Sequence, residues 1–177
     1  MVEFALVAPA FLLMLFGAIE MGLLFKTRGA YQEAALQGVR IAAAAATATD
    51  ADKQALAQLS YTLSAENLAN IASVTVYDAT ASGAPFAPIP SNGAVTGTFY
   101  TVYTYNPSYG FVCPGTNTPP PCPSASSWNP ATRNALVPTL DHVGVRIIYK
   151  YRALGIIPSL TMTQVATALI EPRSYGS

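Results

Sequence analysis

The chain has 177 residues and a formal net charge of zero, with only 10% charged residues against 51% hydrophobic ones. So sparse and balanced a charge leaves no basic field to hold nucleic acid or an anionic lipid surface. The length suits one domain with its own core and a helical extension, hardly two full domains. A soluble monomer normally carries about 25% charged residues, so this chain must hide surface against lipid or against copies of itself.

The first element is an apolar run from Phe4 to Phe25, interrupted by a single carboxylate at Glu20. Roughly 20 such residues cross a bilayer as a helix. Between Phe4 and Ile19 apolar residues cover every face, so the periodicity leaves no solvent side and the segment must be surrounded. A cleaved signal peptide wants a basic region before the run and a small-residue cleavage site after it. Here Met1-Val2-Glu3 precedes the run, and Lys26, Thr27 and Arg28 follow it as a membrane stop. Taken alone, the positive-inside rule would put that basic flank in the cytoplasm. The Cys pair and the hydroxyl-rich C-terminal part argue instead for export.

The stretch VEFALVAPAFLLMLFGAIEMG resembles the N-terminal signature of TadE-like pilins of the tight-adherence pilus system. Glu3 falls on the family's N-terminal glutamate, Pro9 on its helix proline, and Glu20 with Gly22 on its E-x-G ending. Weaker similarity continues through Arg40-Ile41-Ala42-Ala43 and through the final LTMTQVATALIEPRSY. The resemblance implies an anchored subunit of the inner membrane, processed by a prepilin peptidase, extracted by an assembly machine and polymerised with copies of itself and other pilins. In the related type IV pilins the peptidase cuts after a glycine a few residues ahead of the glutamate. That glycine and a basic leader are not in this sequence, which is the processed form or begins inside the leader.

Physical chemistry supports part of this without the family. A carboxylate at the edge of an apolar helix costs several kcal/mol to bury unless paired. In a filament, Glu3 can meet the free α-amino group of a neighbouring subunit, neutralising both charges and fixing the axial stagger of the helices; the plain alternative is a solvated residue at the membrane interface. Glu20 is open between a register role and a carboxylate snorkelling to the headgroups. Pro9 removes a helical N–H and predicts a kink or local opening. Gly17 and Gly22 offer patches for close helix approach, and Phe4, Leu6, Phe11, Leu13 and Phe16 are the expected packing residues around them.

Past Arg28, strong helix formers continue the helix to Thr49 or Asp50, giving a rod of roughly 70 Å at 1.5 Å per residue. Tyr31, Ala35, Val39 and Ala42 or Ala43 share one face, which should pack on the body; a bland Ala-rich linker is the alternative. Asp50 is the expected cap of a second helix whose Leu56, Leu59 and Leu63 make an apolar stripe. The pattern then changes to strands: SVTVYD, GTFYTVYTY, HVGVRIIYKYRA and SLTMTQVATALIE. In the third of these Val143, Val145, Ile147, Tyr149 and Tyr151 alternate with a mostly basic set. The fold class is therefore α+β, a long N-terminal apolar helix on an antiparallel sheet, with an anchor over 1–49 and a body over 50–177. Tyr100, Tyr103, Tyr105 and Tyr109 read as half-buried strand residues or as a sticky interface.

Cys113 and Cys122 are the only cysteines and flank a Pro-rich insert. A disulfide is the natural reading in an exported protein, with free thiols in a reduced compartment as the alternative. The stretch from about 107 to 138 reads as an exposed loop, with Trp128 either pinned on the body or presented outward. A metal site needs more ligands than the lone His142 supplies, and no cofactor fingerprint is found. Asp141 beside His142 cannot form a catalytic pair, because adjacent strand residues point to opposite faces. No catalytic residues are assigned. The resulting expectation is a structural subunit of an extracellular type IV-like filament, inserted in the lipid bilayer before assembly and supporting attachment. A membrane-anchored minor pilin or tip adhesin, binding a ligand through the 107–138 loop without a homopolymer, is the alternative.

Overall fold

The computed structural model describes residues 2–90, 98–113, 115–122, 128–152 and 159–172, with side chains from residue 7 onward. Its first element is a single helix, α1 (Val2–Ala45), which runs unbroken through Pro9. The helix stops short of the expected Thr49 because Ala46 adopts φ 50°. That left-handed conformation costs an L-residue roughly 1–2 kcal/mol, and here it turns the chain back so that α2 (Ala51–Thr62) lies along α1. Burial offsets the strain, since Ala43, Ala46 and Ala51 are all within the core. Gly38 permits the close approach of the two helices: a Cβ there would stand 3.2 Å from Leu59 Cγ.

Leu56, Leu59 and Leu63 are buried as one stripe, but Asp50 does not cap α2 through its side chain. Its backbone (φ −101°, ψ 11°) is not extended as a capping residue's normally is. The carboxylate instead accepts a 2.9 Å hydrogen bond from Gln54 Nε2. A short helix not foreseen in the sequence, α3 (Ala65–Ala69), follows, capped by Ser64 Oγ accepting from the Asn67 amide.

The body is α+β. Five strands, β1 (Ile71–Ala79), β2 (Tyr100–Asn106), β3 (Gly110–Val112), β4 (His142–Tyr151) and β5 (Leu160–Leu169), form one antiparallel sheet in the order β3-β2-β1-β4-β5. Four of them are the predicted strands. The fifth, β3, is three residues long and follows a turn closed by Tyr109 N–H donating to the Asn106 carbonyl. The alternation in β4 is realised: Val143, Val145, Ile147, Tyr149 and Tyr151 are buried on the face that meets α1.

Tyr31, Ala34, Ala35, Val39, Ala42 and Ala43 bring α1 onto that face, so its second half is core and not a linker. Tyr31 stacks on Tyr149 at 3.6 Å between ring centroids and donates to the Asn67 carbonyl at 2.7 Å. Burial, more than the neighbouring Tyr149 and Glu66, raises its pKa and keeps that hydroxyl a donor. On the opposite face Tyr77 lies over Gly144, where a Cβ would come within 2.2 Å of Tyr77 Cζ. At the end of β5 the Glu171 amide donates to the Ala43 carbonyl, fastening the last strand to the end of α1.

The Pro-rich segment is not an exposed loop throughout. Besides β3 it contains a 3-10 turn at Pro130–Thr132 and the buried residues Trp128, Arg133 and Ala135. Trp128 is pinned: the Arg133 guanidinium sits 4.3 Å from its ring centroid, and Arg133 forms a buried ion pair with Asp52 of α2. Tyr103 of β2 donates to the same carboxylate at 2.7 Å. The Cys113–Cys122 disulfide is formed, next to the Cys113 amide's 2.9 Å bond to the Thr118 carbonyl.

Candidate functional site

Along α1 the surroundings change. From Tyr31 onward most apolar side chains are buried or half-buried, whereas Val7, Phe11, Leu12, Leu13, Met14, Leu15, Phe16, Ile19, Met21, Leu23 and Phe25 are all exposed. Full burial of one such side chain is favourable by about 1.5–3 kcal/mol. Leaving eleven of them in water would therefore forfeit on the order of 10 kcal/mol, comparable to the whole stability of a domain, ~5–15 kcal/mol. This strip requires a cover that the subunit itself does not supply. The segment Val7–Ala45 is long and apolar enough to cross a membrane.

The body first closes on the helix at Glu20. Its side chain is 1% exposed, and the Tyr151 hydroxyl at the end of β4 donates to its backbone carbonyl at 3.3 Å. Glu20 thus lies inside the subunit and does not snorkel to solvent. The free part of the helix from Val2 to Ile19 measures about 27 Å at 1.5 Å per residue, close to the ~30 Å of a bilayer's hydrocarbon.

Other predicted residues fall out as follows. Pro9, Phe11, Leu13, Phe16 and Gly22 are exposed, and nothing lies within 4 Å of where a Cβ would sit on Gly17 or Gly22. Among the described residues no packing within the chain therefore requires glycine at either position. The side chains of Glu3, Phe4 and Leu6 lie outside the described residues.

These features, a helix bare over its first half and clothed by a small sheet over its second, leave an apolar arm projecting from a folded body. Residues 1–40 match a family model described as TadE-like protein. Over those residues the arm is similar to TadE-like proteins. The match ends at Arg40, so the TadE-like part comprises the free helix and most of its packed half, while the sheet, the disulfide and the Pro-rich segment lie beyond it. No curated protein and no solved structure matches the chain.

Among the described residues no group of three or more His, Cys, Asp or Glu side chains gathers as for a metal ion. Asp141 is structural: its carboxylate accepts from the Asn134 amide at 2.6 Å and its carbonyl accepts from the Ile170 amide. Of the four clustered tyrosines, Tyr100 and Tyr103 are buried, Tyr105 stacks edge-on against Phe111, and only Tyr109 is substantially exposed. The strand reading holds for Tyr100, Tyr103 and Tyr105, whereas Tyr109 lies in the turn before β3.

The residues sequence reasoning missed are Asp52, Arg133 and Tyr151. Asp52 and Arg133 are 81 positions apart, and Tyr151 reaches a residue 131 positions away. Local spacing carries no signal for such pairs. An acidic residue in the first turn of α2 is the one local hint, and the helix dipole accounts for it equally well.

Proposed function

We propose that the chain is a structural subunit of a Tad-type, type IV-like pilus. It is held in the inner membrane by its TadE-like arm and polymerises outside the cell through that arm into a filament that supports attachment. The observation that carries this reading is the exposed apolar strip from Val7 to Phe25, rigidly continuous with the body through one helix. Lipid covers the strip before assembly and like strips cover it afterwards, so each subunit exchanges one apolar surrounding for another while its sheet faces outward. The bare positions at Gly17 and Gly22 suit close helix approach between subunits. Glu3 is the register residue, its carboxylate paired with a neighbour's α-amino group at the end of the arm.

Negative-stain microscopy of material sheared from cells, with antibody against the body, tests the reading. Fibres labelled along their length are expected; label confined to fibre tips, or no labelled fibre, would favour an anchored minor pilin or adhesin. Glu3→Ala should abolish fibres while leaving the membrane-anchored monomer at its normal level, and normal fibres from that variant would reject the register role.

A further inference from the structure

The net charge of zero hides an uneven distribution. Lys26, Arg28, Lys150 and Arg152, four of the nine Lys and Arg residues, lie at the neck where α1 leaves its apolar run and β4 ends. Two of them, Lys26 and Arg152, face a common cleft of about 450 Å³ between α1, the corner joining α2 to α3, and the end of β4. Among the described residues neither cation has a carboxylate within ion-pair distance. Glu66 also lines the cleft, leaving it with two cations against one carboxylate. Thr27, Ser64 and Asn67 add polar walls, while Leu23 forms an apolar edge on the side of the arm.

The position of the cleft is as informative as its charge. Lys26 follows directly on Phe25, the last residue of the apolar run, so an arm seated in a bilayer sets this cleft at the depth of the lipid headgroups. Its size falls in the range of small-ligand sites, about 300–1,000 Å³. An ammonium and a planar guanidinium fork converging on one space are donors suited to a phosphate. The apolar edge at Leu23 continues along the bare helix, where acyl chains would run.

We infer that this cleft binds the phosphate of an anionic phospholipid headgroup while the subunit is in the membrane, holding the body at a fixed height over the bilayer. The inference rests on the reading that the bare arm ahead of Glu20 occupies lipid. Sequence composition excludes a global basic field; the fold creates a local one.

The full chain, incorporated in vesicles of phosphatidylcholine alone or mixed with phosphatidylglycerol, is tested by flotation and then by counting the lipids retained on native mass spectrometry. Flotation with both vesicle types is expected, with phosphatidylglycerol retained over phosphatidylcholine by on the order of ten-fold. Lys26→Gln with Arg152→Gln should abolish that preference, and Glu66→Gln should strengthen it. Arg40→Gln with Lys53→Gln, which removes the same charge elsewhere, should leave it intact. Equal retention of the two lipids, or equal loss in both double variants, would overturn the cleft assignment while normal flotation leaves the anchor reading standing. Failure to float with neutral vesicles would overturn the anchor reading and the inference together. Loss of the preference on adding millimolar inorganic phosphate would show that the cleft reads free phosphate and would overturn the lipid assignment.

Discussion

The guanidinium of Arg133 connects three parts of the body that the sequence keeps far apart: α2 through Asp52, the Pro-rich segment through Trp128, and β2 through the Tyr103 hydroxyl on the shared carboxylate. Breaking a buried pair from one side leaves an uncompensated charge. Arg133→Ala is therefore expected to destabilise the body by about 3–5 kcal/mol in denaturant unfolding, whereas Asp52→Leu combined with Arg133→Met should recover most of that loss. A double variant no more stable than the single one would show that the network acts through something other than charge. Asp78 offers a pH test. Burial, and then the nearby Asp141 carboxylate, raise its pKa against the opposing pull of His142 and Arg133. A raised carboxyl pKa in the folded state means that the unfolded chain ionises more readily. Its contribution to stability is thus largest below the unfolded pKa and is lost as pH rises through the folded one. Asp78→Asn should flatten that part of the stability profile; an unchanged profile would contradict the assignment.

At the scale of elements, two glycines test packing within the body against the proposed packing between copies. Gly144→Ala drives a methyl group into the Tyr77 ring and should cost about 1–3 kcal/mol. Gly22→Leu meets open space in the monomer, so the melting temperature of the isolated protein should not fall, while the yield of sheared fibres should. A loss of monomer stability from Gly22→Leu would place that residue in an intramolecular contact instead.

The elements differ in how far the sequence announced them. The arm and the strands β1, β2, β4 and β5 follow from continuous apolarity and from strict alternation, both local signals. The end of α1 does not: nothing in an Ala-rich run distinguishes Ala46, whose positive φ is imposed by the return of α2 and the docking of Glu171 on Ala43. Strand β3 and helix α3 were missed because three- and five-residue elements carry too few periods to register, and they persist only through partners supplied by β2 and the core. The site was legible in the same divided way. Its apolar strip and the basic flank at Lys26 are contiguous in sequence, but the burial of Glu20 beside Tyr151 and the convergence of Lys26 with Arg152 depend on where β4 ends.

For the whole molecule, one rigid helix passes from a surface that needs lipid or protein cover to a core the subunit completes itself. Removal of residues 1–19 should therefore leave a soluble, folded body with its disulfide and its Tyr31–Tyr149 stack intact, because the contacts of that body begin at Glu20. The central claim is that the bare strip is covered by the same strip of neighbouring copies once the subunit has left the membrane. A photo-crosslinking residue placed at Met14, whose side chain is 80% exposed in the single subunit, tests it most directly in fibres sheared from cells. A ladder of covalent oligomers of this chain joined through position 14 is the expected product; only monomers, from fibres shown to contain the protein, would contradict the account.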